Sequence, residues 1–301
     1  MINLLKMLDL SSSEIEELIN LGDQYKYEHS HGITRSILQG KTLGMLFQTP
    51  STRTRVSFEV GMYQLGGHAL YLPVDELQVG RGEPSEDTAR SLSRYCDALM
   101  VRAFEQEEIE YLSRYGTIPV INGMTEFAHP CQTLADLMTI REYKTRLDGL
   151  KVAFIGNGGC MMNSTIIGAL KCKMNVAVAC PENYDPAQEV LDYAAQVGRF
   201  EMYRDPRGAA RAADVIITDS WIPMGHEDEY ARRMQAFRTF TVNEEVMHYA
   251  KPDAMILHCL PARKGEEITP ELFEAHAGEI FDAAENRLHI HKAILTKLLY
   301  E

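Results

Sequence analysis

The chain has a single tryptophan, no C-x-x-C pair among its six cysteines, and only 30 lysines and arginines against 43 aspartates and glutamates. Each deficit excludes something. Cys96, Cys131, Cys160, Cys172, Cys180 and Cys259 lack the spacing of a secreted disulfide framework, so reduced and mostly buried thiols are expected. A net charge of −13 argues against a general nucleic-acid binder, because duplex phosphates are held mainly by Lys and Arg. Any phosphate must instead meet a local cluster of positive charge. No apolar run approaches the roughly 18 residues of a membrane span, and Met1 to Leu10 lacks a basic start, an apolar core and a cleavage site. The expectation is a cytoplasmic protein without membrane or nucleic-acid partners.

What is present is an ordinary globular composition, 45% apolar and 24% charged, over 301 residues. That length suits two domains of about 150 residues. Strand candidates at Thr42–Phe47, Ala69–Leu72, Ala98–Arg102 and Ile118–Ile121 alternate with helical patterns, as in a parallel α/β sheet. The first helix reads from Ser11 to Tyr27, capped by Ser12 or Ser13, with Ile15, Leu18, Ile19 and Leu21 as its stripe. Charged residues and a glycine over Lys144–Gly149 mark a domain boundary. Alternation resumes with strands at Lys151–Ile155, Asn175–Ala179, Asp214–Thr218 and Ala254–His258 and a short one near Ile280–Asp282. Helices are expected at Met161–Cys172, Pro186–Val197, Ala209–Ala213, Asn243–Tyr249 and, last, Ala284–Tyr300. The division is thus 1–145 with the final helix 284–301, and 146–283.

The first chemical signal is Ser51-Thr52-Arg53-Thr54-Arg55, between the strand ending at Phe47 and a helix that places Val56, Val60 and Tyr63 on one face. Serine and threonine are ordinary helix caps. Five hydroxyl and guanidinium residues in a row at a helix start, however, combine open N–H groups, the positive dipole end and fixed charge, which suits a phosphate. Arg102 at a strand end, and His129 and Gln132 at the helix opening His129-Pro130-Cys131-Gln132, occupy positions where open α/β sheets bind ligands. An imidazole and a carboxamide there suit a carbonyl or an amide. The loop Gln78-Val79-Gly80-Arg81-Gly82-Glu83 reads as a mobile cover or a plain surface turn, and Pro84–Tyr95 after it as a helix.

In the second half, Asp219-Ser220-Trp221-Ile222-Pro223-Met224-Gly225 brings a carboxylate and the lone tryptophan to a strand end. His258-Cys259-Leu260-Pro261 offers a thiol and carbonyls beside a cis candidate at Leu260–Pro261. Arg287, His289 and His291 lie early in the last helix. The run Val152 to Gly159 imitates a dinucleotide-binding turn but has Met161 at the third glycine position, which leaves a nicotinamide oxidoreductase as a minor alternative.

With these pieces assembled, the chain resembles the aspartate/ornithine carbamoyltransferase family, in its ornithine type, over nearly its whole length. The marks are Ser51–Arg55, Gln78 to Ser93, His129–Gln132, Asp219 with Met224-Gly225, His258–Pro261 and Glu285-Asn286-Arg287. The resemblance implies two α/β domains, each a mainly parallel sheet flanked by helices, with the C-terminal helix returning to the first domain. It also implies a homotrimer or a multiple of trimers, with the Gln78–Glu83 loop reaching a neighbour, and chemistry with neither metal nor cofactor.

By the same resemblance, carbamoyl phosphate lies on Ser51, Thr52, Arg53 and Thr54, with Gln78, and with Arg102 bridging phosphate and carbonyl. His129, Gln132, the Cys259 and Leu260 carbonyls and Arg287 hold the carbamoyl group. Asp219 and Cys259 receive the acceptor amine, and positions Gly159, Cys160, Asn163, Pro223 and Met224 complete the acceptor side. Arg102, His129, Asp219, Cys259 and Arg287 are the catalytic candidates.

Departures cluster on that side. The family's GDGNN turn is here Gly156-Asn157-Gly158-Gly159-Cys160, and the serine before Met-Gly is Pro223. Lost donors and acceptors for a zwitterion weaken its binding. Ornithine stays the leading acceptor, with putrescine or a modified amino acid, and a non-catalytic binding protein, as alternatives. Aspartate is disfavoured because the loop after Gln78 has no lysine.

Overall fold

The computed structural model describes residues 2–223 and 225–300, and it divides into two compact units, Met1–Ala135 with Glu285–Glu301, and Asp136–Ala284. In chain order the first unit carries α1 (Ser12–Ser30), β1 (Thr42–Phe47), α2 (Thr52–Gln64), β2 (His68–Pro73), α3 (Ser85–Leu92), β3 (Ala98–Arg102), α4 (Gln106–Tyr115) and β4 (Val120–Met124), followed by α5 (Pro130–Lys144). Its sheet is wholly parallel with strand order β2-β1-β3-β4. The second sheet follows with β5 (Lys151–Ile155), α6 (Cys160–Lys171), β6 (Asn175–Ala179), α7 (Gln188–Val197), β7 (Phe200–Tyr203), α8 (Pro206–Ala210) and β8 (Val215–Thr218). Then come α9 (Tyr230–Phe237), α10 (Glu244–Met247), β9 (Met255–His258), α11 (Pro270–Ala275) and α12 (Ala277–Leu299). This sheet is also parallel, in the order β7-β6-β5-β8-β9.

Parallel strands covered on both faces read as near-continuous apolar runs, and β3, β8 and β9 are buried at every residue. Leu46, Leu99, Val101, Ile109 and Val120 pack the first core. Ile155, Ile216, Trp221, Phe237, Phe240, Ile256 and Phe273 pack the second. In each sheet the strand order reverses direction once, between β1 and β3 and between β5 and β8. Loops leaving the carboxyl ends beside such a reversal diverge to opposite sides and open a crevice for a ligand. No helix among the described residues is long and apolar enough to cross a membrane.

Several expectations are corrected. The segment 280–282 is not a strand but part of α12, since Ile280, Ala283, Ile290 and Ile294 are buried at helical spacing. The strand expected at Ile118 begins at Val120 and runs to Met124, because Pro119 has no N–H to give to a ladder. The half-exposed edge strand β7 has no apolar run to betray it. Ser11, not Ser12 or Ser13, caps α1: its hydroxyl accepts from Glu14 N while Glu14 accepts from Ser11 N. Three of the six free cysteines, Cys160, Cys172 and Cys259, are only half-buried.

The inner face of α2 is also not the expected one. Val56 and Tyr63 are 50% and 81% exposed, whereas Thr54, Phe58, Gly61 and Met62 face inward. Phe58 stacks on the His291 ring at 3.8 Å, and Gly61 lies against Lys292 and Leu295, so α12 dictates which face is covered. Accordingly, Phe58→Ala should cost about 3–5 kcal/mol of stability, whereas Val56→Ala should stay within about 0.5 kcal/mol. Urea denaturation of both variants checks this, and equal costs would reject the assigned face.

Candidate functional site

In the first unit, three carboxyl-end positions and one helix bring the polar candidates together. Ser51 is the N-cap of α2, its hydroxyl accepting from Thr54 N at 3.3 Å. The capping role and an anion site coexist here, because the N–H groups at the start of a helix outnumber what one hydroxyl can satisfy. Thr54 is fully buried and its hydroxyl meets Arg287 Nη2 at 2.6 Å. Arg102, the last residue of β3, donates from Nε to Thr49 Oγ1 at 3.0 Å. Arg102, His129, Gln132 and Arg287 are all buried.

Burial first, and then the charges of Arg287, Arg102 and Arg53, hold the His129 imidazole well below its usual range. It is therefore a neutral ring in a positive field, suited to a hydrogen bond with a carbonyl rather than to carrying charge. Gln78 is apart from this group in kind: it is exposed, and its carbonyl accepts from Arg81 N and Glu83 N to close the 3-10 turn Val79–Arg81.

In the second unit, the turns after β5, β8 and β9 carry the remaining candidates. Thr218 Oγ1 donates to Ile155 O at 2.8 Å and ties two strand ends. Beyond it, Asp219 Oδ1 accepts from Ser220 N at 2.7 Å and from Cys259 Sγ at 2.9 Å. Burial, then the Asp219 carboxylate, hold the Cys259 thiol well above its usual range, so it stays protonated and donates. Leu260 has φ 60° before the cis bond to Pro261, and its N–H donates to His258 Nδ1 at 2.9 Å. The other nitrogen of that ring, Nε2, lies 3.0 Å from Glu267 Oε1, both side chains being fully buried.

Asp219, His258 and Cys259 thus place ligand-type atoms within 4.8 Å of one another. Both imidazole nitrogens are already hydrogen-bonded and the thiol keeps its proton, so the trio as it stands is a hydrogen-bonded group rather than a metal-ready one.

Gly159 is the N-cap of α6, without a side-chain cap, and Cys160 is its first residue, half-buried. The Asn163 carboxamide oxygen accepts from Ala187 N at 3.0 Å, which commits that atom to the chain after β6. Pro223 is half-buried, and Met224 lies outside the described residues. The glycines that imitate a dinucleotide turn have another reason: a Cβ on Gly158 would lie 2.3 Å from the backbone of Asp185, and Gly158 N donates to Tyr184 O at 3.0 Å.

Sequence reasoning missed Arg233, which joins two of these turns. The available signal was its place on the 230–234–237 stripe of Tyr230, Met234 and Phe237, where an apolar residue would be expected.

Comparisons with known proteins agree over the full chain. The aspartate/ornithine carbamoyltransferase carbamoyl-P binding domain matches residues 3–142, and the Asp/Orn binding domain of the same family matches residues 148–298. An ornithine carbamoyltransferase of Archaeoglobus fulgidus is 48% identical over 298 residues, covering 99% of this chain and 97% of the relative. The solved ornithine carbamoyltransferase of Pyrococcus furiosus superposes with a TM-score of 0.94 at 46% identity, covering 99% of this chain and 96% of that one. An anabolic ornithine carbamoyltransferase from Campylobacter jejuni gives a TM-score of 0.94 at 40% identity, with 99% of both chains covered.

Two consequences are measurable. With its thiol held protonated first by burial and then by Asp219, Cys259 should be alkylated by iodoacetamide at pH 8 at least about tenfold more slowly than an unfolded cysteine. Asp219→Asn should speed the reaction, and mass spectrometry of the modified site reads both rates; a wild-type rate matching the unfolded cysteine would refute the assignment.

His129, His289 and His291 are all held below the ordinary imidazole value, His289 down to about 4. Below about pH 6.5 the unfolded chain therefore binds more protons than the folded one, so stability rises with pH through that window and is lost as pH falls. His291→Gln should flatten the dependence of melting temperature on pH between pH 7.5 and 5, whatever its absolute stability.

Proposed function

The chain belongs to the aspartate/ornithine carbamoyltransferase family, and from that premise we propose that it transfers the carbamoyl group of carbamoyl phosphate to L-ornithine, giving L-citrulline and phosphate. The observation that carries the reading is the neutral His129 set in the field of Arg53, Arg102 and Arg287, in a chain whose relatives at 45–49% identity are named ornithine carbamoyltransferases. The reaction is one step of arginine metabolism and needs no covalent intermediate.

In this reading the first unit binds carbamoyl phosphate. Ser51, Thr52, Arg53 and Thr54 receive the phosphate at the start of α2, helped by Gln78. Arg102 spans the phosphate and the carbonyl oxygen, and Arg287, already on Thr54, supports that oxygen. His129 and Gln132 hold the carbamoyl oxygen and amide.

The second unit binds ornithine. Its δ-amine meets Asp219 and Cys259, the carbonyls of Cys259 and Leu260 orient the carbamoyl amide, and its zwitterionic end faces Gly159, Cys160, Asn163, Pro223 and Met224. The start of α6, with no side-chain cap, turns the positive end of its dipole to the α-carboxylate. This offsets the carboxamides absent from the turn.

Chemically, the neutral amine attacks the carbamoyl carbon, the C–N bond forms, the C–O bond to phosphate breaks, and the proton shed by the newly bonded nitrogen leaves with the departing phosphate. Negative charge grows on the carbonyl oxygen and on the departing phosphate. Fixed guanidinium and imidazole donors at those atoms are usually the largest single term in such an acceleration. Asp219 draws the δ-ammonium in and takes its proton before attack. Cys259, as a protonated thiol, is a hydrogen-bond partner for Asp219 rather than a nucleophile.

The assembly is read as a homotrimer or a multiple of it, in the cytoplasm. The exposed Val56 and Tyr63 of α2 are apolar surface that association would cover, and light scattering of the purified protein tests the stoichiometry.

The decisive experiment is citrulline and phosphate formation from carbamoyl phosphate with ornithine, putrescine, acetylornithine and lysine. Turnover is expected with ornithine at millimolar concentration or below, and turnover only with another amine would overturn the acceptor. Arg102→Ala should lower kcat by about 10²–10³. Cys259→Ser should lose turnover while still binding carbamoyl phosphate, and an unchanged rate would remove Cys259 from the mechanism.

A further inference from the structure

One buried cation joins the turns that carry the acceptor candidates. Arg233, on α9, is 8% exposed, and its guanidinium spends its donors on three segments. Nη1 donates to Asn157 Oδ1 at 3.1 Å, in the turn after β5, and to the Trp221 carbonyl at 3.1 Å, in the turn after β8. Nε donates to Glu229 Oε2 at 2.6 Å, on the chain entering α9. The guanidinium also lies 5.0 Å from the centre of the Tyr184 ring, and the carbonyl of Tyr184 accepts the N–H of Gly158.

The consequence reaches Gly159. A Cβ built on Gly159 would lie 2.7 Å from Asn157 Nδ2. The end of a flexible side chain can normally swing away from such a clash. Here the Asn157 carboxamide is anchored through its oxygen by Arg233, so its nitrogen end stays in the space that a side chain at position 159 would need. The missing carboxamide at 159 is therefore a consequence of the one present at 157.

Resting on the reading of this site as the ornithine side of a carbamoyl transfer, we propose that Arg233 is a positioning residue. It fixes the Gly156–Cys160 turn relative to the Asp219–Pro223 turn, and so sets acceptor affinity without touching the acceptor. An arginine suits the place because its planar fork spreads donors toward acceptors on separate segments, a span that a compact ammonium covers only in part. The neutral amide of Asn157 lets Glu229 remain the one carboxylate that Arg233 bonds among these partners.

The test uses the purified enzyme and the lone tryptophan. Trp221 is the only tryptophan of the chain, so fluorescence excited selectively at tryptophan, beyond the absorption of the tyrosines, reports on this turn alone. Arg233→Met should raise the KM for ornithine at least tenfold while the KM for carbamoyl phosphate stays within twofold, and Arg233→Lys should recover part of the loss. In substrate-free protein, acrylamide quenching of Trp221 should increase in Arg233→Met.

A fall in kcat with both KM values unchanged would overturn the proposal, as would unchanged quenching. If wild type fails to carbamoylate ornithine, the functional reading fails; the quenching result then decides the positioning role, an increase supporting it and no change rejecting it. Should Arg233→Met not fold, Asn157→Ala removes one arm of the anchor and carries the same two readouts.

Discussion

The structure depends first on positive charge gathered inside an acidic protein. Arg102 and Arg287 are almost fully buried in a chain of net charge −13, and each donates to a threonine hydroxyl. Burial first, and the charges of Arg287 and Arg102 after it, hold the His129 imidazole beside them well below its usual range. The sheet makes this arrangement available: β1, β3 and β4 are parallel, so their carboxyl ends deliver Ser51, Arg102 and His129 to the same side of the first unit.

The second unit uses the same topology for the opposite electrostatic task. Its turns after β8 and β9 bring a carboxylate and a thiol to 2.9 Å, and burial first, with the carboxylate second, raises the thiol rather than activating it. A protonated thiol donating to Asp219 keeps one carboxylate oxygen oriented. Buried cationic donors on one unit and an oriented anion on the other match the two reactants of the proposed transfer, one an acyl phosphate and the other a diamino acid.

Much of this was legible in the sequence because strand and motif coincide. Thr42–Phe47, Ala98–Arg102, Lys151–Ile155 and Asn175–Ala179 are apolar runs closed by polar turn residues, and the structure places strands at those bounds. Less legible were features decided by tertiary neighbours. The inner face of α2 depends on α12, more than 220 residues away by the pairing of Thr54 with Arg287, and no local periodicity reports that. The edge strand β7 is half-exposed and carries no apolar signature. Ile280 and Phe281 suggest a strand only until the helical spacing through Ile294 is followed. Ser51 was readable both as a cap and as part of an anion site, and the geometry is compatible with both.

The turn after β5 shows how a motif misleads when the reason for its residues is not local. Glycines between a strand and a helix suggest a pyrophosphate cradle, yet Gly158 is a glycine because the backbone of Asp185 leaves no room for a Cβ. Gly159 is crowded by Asn157, whose oxygen is bound by Arg233 from an element some seventy residues further on. The resemblance made this turn look depleted, having lost two carboxamides at 159 and 160. The geometry makes it a different solution, in which one carboxamide has moved to position 157 and is used to hold the turn instead of a ligand. In the proposed reading the acceptor is left the helix start itself, where backbone N–H groups do not depend on which side chains occupy the turn.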